Sequence, residues 1–216
     1  MATTLERGKK PKSSKKPARE PAWDIASFYP LQGDWTEEDY LELEAVSGNR
    51  MIELSNGCLE FPIMPNMLHQ DIVDFLATSL KAFVKARGLG RVYCSPMPVH
   101  LFPGTFREPD VVFLKSHRIK DKRKPPEGAD LVMEVVSPGK EARERDHEDK
   151  RADYAKAKIP EYWIVDPKLE TITVLTLSGK SYKVHGVFKA GDQAASKLLK
   201  GFKVAVSDVF AAGEGK

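Results

Sequence analysis

Two acidic side chains stand where strand-forming residues would bury them. The segment Pro109-Asp110-Val111-Val112-Phe113-Leu114 sets an aspartate at the head of a β-branched run, behind a proline at the strand-opening position that tolerates one. The segment Asp130-Leu131-Val132-Met133-Glu134-Val135-Val136 holds a glutamate inside an apolar run without clean alternation, the pattern of a strand covered on both faces. A glutamate is almost never fully buried unless it is paired or bound to a metal, because desolvating a lone carboxylate is costly. Side by side, two such strands would present Asp110 and Glu134 to one ion. Oxygen-only ligation favours a hard cation, magnesium or else manganese, and no Cys/His cluster argues for zinc.

A third element completes this chemistry. After the Ser137-Pro138-Gly139 turn, Arg143, Asp146, Lys150, Tyr154 and Ala157 recur at three- and four-residue steps, so a helix over 141–157 would carry them on one face. Tyr154 and Ala157 mark that face as inward, which carries Lys150 towards the carboxylates. A lysine there could orient or deprotonate an attacking water and stabilise charge on a phosphorane-like transition state, while a metal polarises the phosphoryl oxygen.

The elements that must position these residues are legible along the chain. Thr36, followed by Glu37, Glu38 and Asp39, reads as a capped helix start, with Gly48 and Asn49 as its stop. The run "RMIELSNGCLEF" reads as a hairpin around Asn56-Gly57, with Glu53 on its first strand. Ile72, Val73, Leu76, Leu80, Phe83 and Val84 recur at helical spacing over 69–85, with Asn66 as the cap. Strands are expected at 91–94 and 99–102, then through the two acid-bearing runs, and in "EYWIVDP", "ETITVLTL" and "SYKVHGVF". The fold class expected is α/β, a central mixed sheet flanked by the two long helices.

In this order, "PDVVFL", "LVMEVVSP", the Asp146-x-x-x-Lys150-x-x-x-Tyr154 helix and "IPEYWIVDP" resemble the bacterial Uma-type restriction endonuclease-like family of the PD-(D/E)xK nuclease superfamily. The resemblance spans roughly residues 35–210. It implies a restriction endonuclease-like core, Asp110 and Glu134 as metal ligands, Glu53 as an auxiliary acid, and Lys150 as the catalytic lysine. The wider superfamily places its lysine two residues after the strand acid, where this chain has Val136. The Uma-type pattern resembles members whose lysine has moved to the following helix, which carries the role to Lys150. Arg151 is the neighbouring alternative, turned about a quarter-circle away by helical geometry.

Charge and composition frame the rest. At 216 residues the chain suits one domain, expected over 23–216, behind a basic tail over 1–22 that is too poor in large apolar side chains to fold. Residues 1–20 carry seven bases and two acids, a net of +5 in a chain of overall +3, so the body is slightly acidic. Such a tail either attracts phosphate nonspecifically or simply solubilises. Lys115, Arg118, Lys120, Lys122, Arg123 and Lys124 lie between the two acid-bearing strands and read either as a phosphate contact near the site or as a solvated loop. The two cysteines read as reduced thiols. With neither a signal-like nor a bilayer-length apolar segment, the expected location is cytoplasmic, without a membrane partner.

The expected activity is metal-dependent hydrolysis of DNA, with DNA as partner and a second copy of the chain as a further candidate. The rival reading is a nucleic-acid-binding accessory protein with little catalysis on the same scaffold. A structural rival is also open: Asp110 and Glu134 could simply pair with Lys150 and Arg143 in a charge network. A strand glutamate beside an Asn-Gly turn, as Glu53 is, commonly faces solvent. His69 resembles a recurrent histidine of the Uma-type family at the start of the long helix, while a lone helix histidine is more often a polar core or capping residue.

Overall fold

The computed structural model describes residues 32–47 and 51–214. The expected tail over 1–22 and the helix stop at Gly48 and Asn49 lie outside them. The first helix, α1 (Glu37–Ser47), starts where expected: Asp39 N–H donates to Thr36 Oγ1 at 3.1 Å while Asp39 Oδ2 accepts from Thr36 N–H at 3.2 Å. This reciprocal cap satisfies two donors that helix geometry leaves without partners.

The hairpin forms from β1 (Glu53–Ser55) and β2 (Cys58–Glu60), with Asn56 and Gly57 at φ of 49° and 76°. Positive φ at both positions is what a tight hairpin turn requires. It does not join the central sheet. It pairs with β5 (Thr105–Arg107), which pairs with β4 (Val99–Phe102), giving a separate four-stranded sheet of order β2-β1-β5-β4. Trp35, Tyr40, Ile52, Leu54, Leu59 and Phe106 form its core.

The central sheet has order β10-β9-β8-β7-β6-β3, from β3 (Gly90–Cys94), β6 (Val111–Lys115), β7 (Leu131–Val135), β8 (Glu161–Asp166), β9 (Thr171–Ser178) and β10 (Ser181–Lys189). Only its β7–β8 pair is parallel; the other ladders are antiparallel. It is the mixed sheet expected. Both β7 and β8 are buried throughout, because the sheet is covered on both faces. One face packs Val111, Phe113, Leu131, Met133 and Val135 against the long α2 (Met67–Ala86), whose first turn Asn66 caps by accepting from His69 N–H at 2.9 Å. The other face packs Val112, Leu114, Val132 and Val136 against Tyr154, Ala155 and Ile159.

The second helix departs from expectation. A continuous α-helix over 141–157 is replaced by α3 (Lys140–Glu144), a π-helical turn at Arg145–Asp149, and α4 (Lys150–Lys156). A π-turn widens the helix by one residue and shifts the phase of everything after it. Here Tyr162 of β8 donates its hydroxyl to the Asp146 carbonyl at 2.8 Å, so the sheet itself props the irregular turn. The chain then ends in a short pair, β11 (Gln193–Ala195) with β12 (Lys203–Ala205), and α5 (Val206–Gly213) packed beside α2; none of the three was expected. Among the described residues no helix is long and apolar enough to cross a membrane.

Candidate active site

Antiparallel register brings the two acids together. Val111 faces Met133, so one step further along the ladder Asp110 stands opposite Glu134. Asp110 lies just before β6 rather than inside it, and its Oδ2 accepts the Val135 N–H at 2.7 Å, which ties the strand entry to its neighbour. Glu134 shares a face with Val132 and Val136, the face that α4 covers. From α4, Lys150 Nζ donates to Glu134 Oε1 at 2.9 Å, and Tyr154 donates its hydroxyl to the same oxygen.

The second sheet delivers Glu53. It is fully buried, which sets aside the solvent-facing alternative, and its Oε1 lies 3.4 Å from Lys150 Nζ. What holds it there is Arg107, a residue with no role in the sequence reading. Arg107 Nη1 donates to Glu53 Oε2 at 3.0 Å and to Glu60; Nη2 donates to Asp153 at 2.7 Å and Ser55 Oγ at 3.2 Å. Glu108 N–H adds a bond to Glu53 Oε1 at 2.9 Å. A planar fork with several donors can tie three strands of the four-stranded sheet to α4 in this way, and a lysine could not. Arg107→Met would leave the buried Glu53 and the half-buried Glu60 and Asp153 without their shared cation. It is expected to cost about 3–5 kcal/mol, read as a lower urea midpoint; a loss under about 1 kcal/mol would show that Glu53 and Asp153 find other partners.

Asp110, Glu134, Lys150 and Glu53 therefore line one cleft, together with His69, Glu108, Arg145 and Asp146. His69 Nε2 stands 3.3 Å from Asp110 Oδ2, so this histidine belongs to the site rather than to the core alone. Helical spacing gave no sign of this pairing, because its partner is 41 positions away in sequence. Arg143 does not reach the carboxylates: its guanidinium forks onto Asp166 instead, removing it from the structural-network alternative.

Electrostatics set the protonation states. Burial opposes charge on Lys150, but Glu134, Glu53 and Asp146 outweigh it and raise its pKa, so the side chain is an ammonium. Burial likewise opposes charge on Glu53, yet Lys150, Arg107 and the Glu108 N–H prevail and lower its pKa. Glu134 goes the other way. Burial, with Asp110, Asp146 and Glu53 nearby, pushes its carboxyl up to about 8 despite Lys150. Asp146 is raised by burial too, and its Oδ1 has no hydrogen-bond partner. The cleft holds more carboxyl groups than cations.

The basic segment is elsewhere. Since β6 and β7 are antiparallel and joined by 116–130, that connector leaves β6 at the end opposite Asp110, about 17 Å along the strand at ~3.4 Å per residue. Lys115 and Arg118 turn back onto Asp130, at 3.7 and 2.9 Å, and Arg123 onto Asp121 at 3.2 Å. Lys120, Lys122 and Lys124 are exposed there.

A mixed sheet presenting acids at the ends of adjacent strands, beneath a helix, defines a restriction endonuclease-like α/β fold. The chain belongs to the Uma2 family, described as "Putative restriction endonuclease", whose model matches residues 37–207. Its fold is similar to that of a putative nuclease belonging to DUF820 from Anabaena variabilis ATCC 29413, at 16% identity and a TM-score of 0.68, covering 82% of this chain and 98% of that one. No curated protein matches.

Proposed function

We propose that this chain is a divalent-metal-dependent endonuclease that hydrolyses phosphodiester bonds in DNA. The observation that carries the reading is the Lys150 ammonium set 2.9 Å from Glu134 in a cleft shared with Asp110 and Glu53. Asp110 and Glu134 would hold magnesium, or manganese in its place. The cleft suits such an ion: its donors are oxygen, its carboxyls outnumber its cations, and Asp146 Oδ1 is buried without a hydrogen-bond partner. Among the described residues no three His, Cys, Asp or Glu side chains stand ready as a cage. Magnesium does not need one, since it is commonly held by one or two carboxylates plus water and substrate oxygens. Such an ion, when bound, polarises a phosphoryl oxygen and makes a coordinated water more acidic.

The protein's own groups do the rest. Lys150, as an ammonium, is a donor and a charge stabiliser rather than a free-amine base. It can orient the attacking water or neutralise charge growing on the phosphate. Glu53, kept ionised by Lys150 and Arg107, helps hold the Lys150 ammonium in place. Tyr154 fixes Glu134 Oε1, leaving Oε2 for the cation.

Supercoiled plasmid is the test, incubated with Mg²⁺, Mn²⁺ or EDTA. Nicking or linearisation with either metal and none in EDTA is expected; DNA binding without cleavage under any divalent metal would favour the accessory-protein reading. Asp110→Asn keeps the acceptor for Val135 N–H but removes a charge, so metal affinity and cleavage should fall together. Unchanged metal affinity in that variant would remove Asp110 from the ligand set.

A further inference from the structure

We propose that the groove beside the acidic cleft binds the backbone of a DNA strand, with Lys140, Lys168 and Arg143 holding its phosphates. This rests on the nuclease reading and extends it from the reacting atoms to the grip on substrate. Five acids, Glu53, Glu108, Asp110, Glu134 and Asp146, line the cleft beside Lys150 and Arg145, so it offers a polyanion little net attraction, and affinity has to come from a neighbouring surface. The adjoining groove shares His69 and Ser137 with the cleft as a common wall. Its charged lining has the opposite sign: Lys140, Arg143 and Lys168, against Asp166 alone.

Each cation there is placed to be used. Asp166 grips Arg143 with both carboxylate oxygens, which fixes a guanidinium whose side chain remains 30% exposed. Lys168 follows on the same turn and is exposed. Lys140 meets only Glu144, at 3.4 Å in an exposed i,i+4 pair, an interaction weak enough to exchange for phosphate. Leu68, Val136, Pro138 and Pro167 supply an apolar floor for sugar and base faces.

The test is binding of a fluorescein-labelled DNA duplex in EDTA over a series of salt concentrations. Lys140→Ala/Lys168→Ala removes exposed side chains only, so folding is preserved. Its affinity should drop on the order of tenfold, and the slope of log K against log salt should flatten by about 2, near 0.9 per lost phosphate contact. Lys120→Ala/Lys122→Ala/Lys124→Ala, at the far end of β6, should leave the slope within about half a unit of wild type. An unchanged slope in the groove variant, or the loss appearing in the far-end variant, overturns the proposal, as does wild type that fails to bind duplex at low salt. Cleavage judges the underlying reading separately. Predicted slopes without cleavage under any metal would keep the groove and reject the nuclease; cleavage with unshifted slopes would do the reverse.

Discussion

Lys150→Met should lower plasmid cleavage by about 10²–10⁴-fold while leaving the protein folded and able to take up divalent metal. The substitution keeps most of the buried aliphatic stem and deletes the ammonium bonded to Glu134 and lying near Glu53. Its consequence for Glu134 follows directly. Without Lys150, the strongest influence holding that carboxyl down is gone, so Glu134 becomes harder to ionise, and metal uptake should shift to higher pH. Isothermal titration with Mn²⁺ at several pH values, alongside the cleavage assay, separates the two effects. Cleavage equal to wild type would exclude Lys150 from the chemistry and turn attention to Arg151, which here donates to the Tyr182 carbonyl at 3.2 Å, and to Lys140.

Glu134→Gln should abolish cleavage and at the same time stabilise the fold in alkali. A carboxyl raised from 4.5 to about 8 binds a proton in the folded chain that the unfolded chain has released. Its contribution to stability is therefore complete below the unfolded value and is lost as pH climbs through 8. Glutamine has no such proton to lose. Between pH 5 and 8 the stability difference should move in favour of the variant by roughly 1 kcal/mol per pH unit. Saturating Mg²⁺ should narrow the gap by stabilising wild type alone, because a cation replaces the proton. Urea unfolding of both proteins across that pH range decides the matter: parallel curves would mean that Glu134 is ionised in the metal-free fold.

The acids were legible because burial of charge leaves a mark in one dimension. Asp110 and Glu134 interrupt apolar, β-branched runs, and no solvated strand needs that pattern. Helical spacing likewise pointed Lys150 and Tyr154 inward. Arg107 left no such mark, since an arginine in "TFREPD" looks like any surface base, and its partners Glu53, Ser55, Glu60 and Asp153 are 46 to 54 residues away. The second sheet hid for a related reason: β5 is three residues long and pairs non-locally. The π-turn was invisible to a search for 3.6-residue periodicity, which tolerates one misplaced residue. The position of the basic connector was a different case. Two acids meeting from the start of one strand and the end of the next already require antiparallel neighbours, and the loop joining such neighbours must sit at the other end.

The parallel pairing of β7 with β8 has a consequence for how this scaffold can be altered. Parallel neighbours cannot be joined by a tight turn, so the chain from Val136 to Pro160 has to travel back over one face of the sheet before β8 can begin. That face is the one carrying Glu134 and Val136. Whatever occupies the return path is therefore delivered above the acid by connectivity alone, whether or not the strand itself bears a cation. A positive group can be transferred from the floor of the cleft to its roof without redesigning either sheet, which makes the lysine's address negotiable while the acids' addresses are not.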